Sequence, residues 1–292
     1  MDAMRRRVLA AGAAVVAAGA TAGCTRLGVL NGANALIPGD GGVALLASEI
    51  AYGGDPRQRL DIYGPPQARG LPVIVFFYGG SWSSGARGDY GFAARALAAQ
   101  GFIVVVPDYR LVPAARFPAF VEDGAAATQW TAANVARHGG DPRRIAVAGH
   151  SAGAYIAMML ALDRGRGAAG VIKSVATLAG PFDFSPFVPG GAAAAAFGGT
   201  PDIAATQPIN FARGDAPAML LLTGDADTTV QPRNSRVLAA RVTGLGGKAQ
   251  LVEYAGIGHI GILLAMSKPF RGKAPVVRDI AVFLHAALAG TG

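Results

Sequence analysis

Gly149-His150-Ser151-Ala152-Gly153 follows the short β-prone run Ile145-Ala146-Val147-Ala148 and opens an apolar helical segment from Tyr155 to Leu162. The reading is a strand, a sharp turn and a helix, with a serine at the apex. Such a turn holds its serine in strained backbone geometry, and neighbours without side chains let strand and helix approach closely. Glycine is abundant, at 42 of 292 residues, so the pattern can also arise as an ordinary turn. The remainder of the chain has to decide.

A serine hydroxyl is a poor nucleophile at neutral pH; it needs a base within hydrogen-bond reach and an acid that holds the base in one tautomer. There are four histidines. His138 ends a helical stretch, His150 sits beside the serine, and His285 lies in the terminal helical segment from Val276 to Leu288. His259 remains, in the glycine-rich loop Gly256-Ile257-Gly258-His259-Ile260-Gly261 directly after the strand-like Gln250–Tyr254. For the acid, the apolar run Met219-Leu220-Leu221-Leu222-Thr223 reads as a buried parallel strand that leads into Gly224-Asp225-Ala226-Asp227. Asp227 is favoured, Asp225 having the ordinary role of a turn former after Gly224. Asp183, after the preceding strand, is a third candidate. The order serine, acid, histidine is that of the α/β-hydrolases rather than of the chymotrypsin or subtilisin classes.

Acyl transfer through a serine also requires backbone N–H groups where negative charge develops on the carbonyl oxygen. The continuous apolar strand Leu71–Phe77 leads into Tyr78-Gly79-Gly80-Ser81-Trp82, upstream of the serine turn and at the position expected for such a donor loop.

With these segments, together with Val106-Pro107-Asp108-Tyr109-Arg110-Leu111, Phe117-Pro118-Ala119-Phe120 and Asp123, the chain resembles the α/β-hydrolase superfamily. Within it, the likeness is to the hormone-sensitive-lipase-like and feruloyl-esterase-like bacterial carboxylesterases, from about Ala47 to Leu288. The resemblance implies Ser151 as nucleophile, His259 as base, Asp227 as orienting acid, and the N–H groups of Gly80, Ser81 and Ala152 as oxyanion donors. It departs from the family at Tyr78, where a histidine is usual, and at Ser81, where glycine is frequent. Asp108, Tyr109 and Arg110 resemble framework residues of the family and carry no expected chemical role.

Strand-like segments at Ala47–Tyr52, Leu60–Tyr63, Leu71–Phe77, Ile103–Val106, Ile145–Ala148, Val171–Leu178, Met219–Thr223 and Gln250–Tyr254 alternate with helical ones. The helical candidates are Tyr90–Gln100, Ala119–Arg137, Tyr155–Leu162 and Pro232–Thr243. Two opening antiparallel strands and a later β-α alternation predict one α/β domain over 47–292, its eight-stranded, mostly parallel sheet covered on both faces. The Pro/Gly-rich stretch from Gly180 to Pro217 is longer than a typical loop and is expected to form a small cap over the site.

Arg5-Arg6-Arg7, an apolar run from Val8 to about Ala20 and Thr21-Ala22-Gly23-Cys24 have the anatomy of an export signal over 1–23, with a linker over 24–46. The apolar run is shorter than the roughly 20 residues that a spanning helix needs. Small residues before the single cysteine resemble a bacterial lipobox, which implies cleavage before Cys24, lipid on its sulfur and a membrane-anchored, exported protein; the alternative is an ordinary signal peptide that yields a soluble periplasmic or secreted protein. Loss of residues 1–23 removes three arginines and Asp2, so the formal charge falls from +8 to +6. The basic residues are scattered, which argues against nucleic acid and for proximity to an anionic membrane surface. No metal or organic cofactor is expected, since the cysteine–histidine spacing of a zinc site is absent. The expected activity is hydrolysis of small carboxylic esters through an acyl-enzyme. The same three side chains would also serve an amidase or peptidase, and a non-catalytic binding protein of this fold is the third reading.

Overall fold

The computed structural model describes residues 30–289 apart from 33 and 169. The export signal and Cys24 lie outside the described residues. Eight strands form one sheet: β1 (Ala44–Ala51), β2 (Arg59–Gly64), β3 (Leu71–Phe77), β4 (Ile103–Pro107), β5 (Gly140–His150), β6 (Ile172–Leu178), β7 (Ala218–Gly224) and β8 (Ala249–Tyr254). Their order is β1-β2-β4-β3-β5-β6-β7-β8. β2 is antiparallel to both β1 and β4, and every later pairing is parallel. β3, β4 and β7 are buried at almost every position, as befits strands covered on both faces, and each fully buried aliphatic or aromatic side chain contributes about 1.5–3 kcal/mol.

The main helices are α1 (Gly91–Ala98), α2 (Ala119–Asn134), α3 (Ala152–Leu162), α4 (Ala192–Phe197), α5 (Arg233–Gly244), α6 (His259–Leu264) and α7 (Val276–Ala289). Every residue of α3 is buried, so it is the helix most deeply enclosed by the sheet and its covering elements. Because β4 lies on one side of β3 and β5 on the other, the chain reverses its direction of winding between them. In open parallel sheets the crevice at such a switch point, outside the carboxyl ends of the strands, is where ligands bind. Both glycine-rich turns singled out in the sequence emerge there, from β3 and β5.

Three expectations are corrected. The first strand starts at Ala44, and residues 31–40, read as part of a linker over 24–46, are tied to the domain. The Asn31 amide donates to the Gly88 carbonyl (2.8 Å) and accepts from the Phe92 N–H (2.8 Å); Asn34 accepts from the Lys268 N–H (2.8 Å), and Arg271 pairs with Asp40 (2.6 Å). The second concerns the elbow strand, which runs from Gly140 because Leu71 pairs with Gly140 across an irregularity in the register. The third is the segment read as a loop around His259, in which that histidine opens a short helix capped by Gly258.

The connection from β6 to β7 folds back over α3. It carries α4 and two short 3₁₀ turns, Ala204–Thr206 and Pro208–Phe211. The Tyr155 hydroxyl donates to the Thr206 carbonyl (2.9 Å), the Phe117 N–H to Ala196 (3.0 Å), and the Ile209 N–H to Phe182 (3.0 Å). Phe184 and Phe197 pack on Trp82, at ring separations of 6.2 and 4.8 Å, beside the turn after β3. This is a cap built on aromatic contacts.

Candidate active site

Ser151 takes φ 55° and ψ −120°, a left-handed conformation that side-chain-bearing residues seldom adopt, at the junction of β5 and α3. Tight packing enforces it. A Cβ on Gly153 would lie 2.1 Å from the Phe77 carbonyl oxygen and 2.4 Å from that of Tyr78, while one on Gly149 would lie 2.5 Å from the Gly153 backbone. Strand, helix and the end of β3 thus touch through backbone alone. The Ser151 N–H is bound to the Leu178 carbonyl (2.9 Å), which anchors the apex to β6.

His259 Nε2 lies 2.9 Å from Ser151 Oγ, and its Nδ1 lies 2.8 Å from Asp227 Oδ2. The other carboxylate oxygen of Asp227 accepts the N–H groups of Thr229 (2.9 Å) and Val230 (2.8 Å). Burial at 3% exposure pushes the Asp227 pKa up, yet the hydrogen bond from His259 and the two backbone donors outweigh it, so the carboxyl is held below its ordinary value. An ionised Asp227 can only accept; Nδ1 therefore carries the proton, and Nε2 presents its lone pair to the serine hydroxyl.

The loops after β7 and β8 are clamped together by backbone. The Asp225 N–H donates to Tyr254 (3.1 Å) and the Ala226 N–H to Ile257 (3.2 Å); a Cβ at Gly224 would fall 1.9 Å from the Ile257 carbonyl oxygen. This clamp sets the spacing of carboxylate and imidazole. The two other aspartates are occupied elsewhere: Asp225 accepts the Gly256 N–H (2.7 Å), and Asp183 pairs with Arg233 (2.7 Å).

After β3, Ser81 and Trp82 both take positive φ (54° and 58°), which accounts for the family's frequent glycine at the first. Gly79 packs against the elbow, since a Cβ there would lie 3.1 Å from Ser151 Cβ. The Gly80 carbonyl accepts the N–H groups of Ser83 and Ser84 (both 3.0 Å), fixing the loop as a tight turn. Ala152 is the first residue of α3, where the backbone N–H has no acceptor within the helix.

Tyr78 points away from the serine. Its ring is fully buried between Tyr109 (4.7 Å) and Tyr90 (5.5 Å); its hydroxyl donates to Asp108 (2.8 Å) and accepts from Arg57 (2.7 Å). Burial pushes the phenol pKa far up, so it remains a donor. Asp108 also accepts the Arg87 N–H (2.7 Å) and pairs with the Arg87 guanidinium, which reaches Asp61 (2.9 Å) as well, and the Tyr109 hydroxyl donates to the Tyr78 carbonyl (2.8 Å). Arg110 binds Asp123 through two nitrogens (2.8 and 3.0 Å). The turn after β3 therefore rests on a partly buried polar layer. Arg57 and Arg87 were missed in the sequence, since single arginines in irregular stretches carry no periodic signal. Among the described residues no group of three or more His, Cys, Asp or Glu side chains is placed to hold a metal ion.

Comparison with known proteins places the chain in a family. Residues 60–242 match the family model BD-FAE, which is more than half of the chain. The chain belongs to the BD-FAE family. This BD-FAE chain is 30% identical over 267 residues to a probable isoprenylcysteine alpha-carbonyl methylesterase of Arabidopsis thaliana, a stretch covering 81% of this chain and 62% of that protein. It is 44% identical over 115 residues to a carboxylesterase of Mycobacterium tuberculosis, covering 38% of this chain and 36% of the other. The chain thus spans less than two thirds of the length of these relatives. Among solved structures, a truncated carbohydrate esterase from gut microbiota superposes with a TM-score of 0.76 at 22% identity, over 86% of this chain and 99% of the other. That likeness extends to the fold, the α/β-hydrolase fold.

Proposed function

We propose that the protein is a serine esterase that hydrolyses small carboxylic esters through an acyl-enzyme, with Ser151, His259 and Asp227 as its catalytic residues. The observation that carries this reading is the unbroken line from Ser151 Oγ to His259 Nε2 (2.9 Å) and from His259 Nδ1 to a buried, ionised Asp227 (2.8 Å). Ser151 gives its proton to Nε2 as Oγ bonds to the ester carbonyl carbon. The carbonyl oxygen becomes an oxyanion, held by the N–H groups of Gly80, Ser81 and Ala152. Collapse of the adduct breaks the bond to the alcohol oxygen, which takes the proton from His259 and leaves. A water then gives a proton to His259 as its oxygen bonds to the acyl carbon; the second collapse returns that proton to Ser151 Oγ and frees the acid. Esterase activity named for the relatives supports the choice of substrate.

The cap between β6 and β7 is modest in size and closely packed on the aromatic rings of Trp82, Phe120, Tyr155 and Phe197, which supports short acyl groups over long chains. The test is a panel of nitrophenyl esters of increasing acyl length run beside aminoacyl anilides and formyl amides. Turnover confined to the short esters is expected. Faster cleavage of an amide would overturn the assignment.

The same proposal includes export and anchoring at a bacterial membrane through lipid on Cys24. Its support is the basic, apolar and small-residue order of residues 5–24.

A further inference from the structure

We propose that His150 is a positioning residue for the base: its ring is a neutral spacer that fixes His259 through the backbone and holds the base-bearing helix at a set distance from the donor loop. This deepens the esterase reading and rests on it. His150 immediately precedes the nucleophile, yet its side chain hydrogen-bonds neither Ser151 Oγ nor Asp227. It is 2% exposed, and its Nε2 lies 3.0 Å from the carbonyl oxygen of His259. A carbonyl only accepts, so Nε2 carries the proton and Nδ1 is a bare lone pair.

On its other side the ring abuts the donor loop. A Cβ at Gly79 would lie 2.8 Å from His150 Nδ1, so the absence of a side chain at 79 makes room for this ring as well as for Ser151. The imidazole is therefore wedged between the turn after β3 and the start of α6. Its centroid stands 4.9 Å from that of His259, at an angle of 39°. Nδ1 is buried and has no hydrogen-bond partner among the described residues, so the hydrogen bond through Nε2 is the one polar tie that the side chain makes.

The charged and titratable groups that act on this ring are His259 and Asp227, and on the side of the turn after β3 it abuts Gly79. Burial first, and then the neighbouring His259 ring, push the His150 pKa down to about 3, against the opposing pull of the His259 carbonyl and Asp227. A neutral spacer is what the chemistry needs. A second cation 4.9 Å away would oppose the imidazolium that His259 becomes when it takes the serine proton.

The two ring nitrogens can be separated by amide substitution. His150→Gln places an N–H donor near the position of Nε2, whereas the amide of His150→Asn reaches only the position of Nδ1. His150→Leu fills the space with no donor. In the full-length enzyme, kcat and KM for a short nitrophenyl ester are measured beside thermal melting and titration of Ser151 with an organophosphonate.

His150→Gln should retain kcat within about threefold, while His150→Asn and His150→Leu should lose about 10–100-fold in kcat with KM changed less than threefold, the signature of a misplaced base. If His150→Leu does not fold, the contrast between Gln and Asn decides alone. Equal kcat in the folded variants, whether high or low, or a loss confined to KM, would overturn the positioning role. Failure of the esterase reading itself is distinguishable, because there Ser151→Ala would keep its activity and the organophosphonate would not label Ser151.

Discussion

At the scale of single residues, three side chains from three separate strand ends carry the proposed chemistry, and each can be tested alone. Ser151→Ala removes only the attacking oxygen, so ester turnover should fall by about four to six orders of magnitude with the melting temperature nearly unchanged. Asp227→Asn keeps the size of the side chain but permits the wrong tautomer of His259, a loss of about four orders of magnitude in a serine protease. Asp225→Asn and Asp183→Asn should keep most of their turnover, because those carboxylates bind Gly256 and Arg233 instead. His150 gives a pH dependence. With a pKa near 3 when folded against 6.5 for the free side chain, the unfolded chain binds the extra proton between these values. Stability therefore rises with pH across that window and is lost as pH falls through it, by about 1.4 kcal/mol per pH unit for one proton. Urea unfolding between pH 4.5 and 6.5 should give a shallower pH slope for His150→Gln than for the wild type. Equal slopes would mean that the ring is not buried in its neutral form. Ser151 and Asp227 were legible in the sequence because each follows an apolar run that reads as a buried strand, and His259 because it sits in a glycine-rich loop after a strand-like segment. The role of His150 was not, since its partner is a backbone carbonyl 109 positions away in sequence.

At the scale of elements, the elbow depends on close approach of backbones, and its glycines divide sharply by what surrounds them. Gly153→Ala would drive a methyl into the Phe77 carbonyl, part of the central strand that cannot shift without disturbing its neighbours. Its stability should fall by about 3 kcal/mol or more, with activity lost in parallel. Gly244→Ala is the contrast: it lies at the end of α5, with no atom within 4 Å of the added methyl, and should stabilise by about 0.4–1 kcal/mol by restricting the unfolded chain. Thermal melting of the two variants checks both signs. β3, β4 and β7 could be read from sequence to within a residue, because they are largely apolar runs, whereas β5 begins five residues before the run read as its strand. α6 could not. Its six residues follow Gly256 and Gly258 and include Gly261, a poor helical composition, and it forms because Ile262 and Leu263 are buried against the domain.

At the scale of the whole molecule, the sheet order and the covering of the site depend on contacts between distant segments. The α/β class followed from strand-helix alternation and the antiparallel opening from the short turn Gly53-Gly54-Asp55-Pro56 between the first two strands, but the place of β3 between β4 and β5 has no local signal. Nor has the tie of residues 31–40 to Gly88, Phe92, Lys268 and Arg271, which makes that segment part of the domain. That tie bears on the proposed anchor. Asn31, the first residue seen bonded to the body of the domain, lies seven residues after Cys24, so a lipid at Cys24 would hold the domain close to the bilayer. The hydrogen bonds joining Ser151, His259 and Asp227 all lie within β5 to α6, far along the chain from that end. Anchoring and chemistry should therefore separate. Expressed with its signal in a bacterial host, the wild type should partition to the membrane fraction and incorporate labelled fatty acid, whereas Cys24→Ser should lose the label and leave that fraction or accumulate unprocessed. In detergent, kcat for a soluble short-chain ester should agree between the two within about twofold, because no group near the reacting atoms has changed. An unlabelled, soluble mature wild type would sink the lipid anchor while leaving the esterase reading intact.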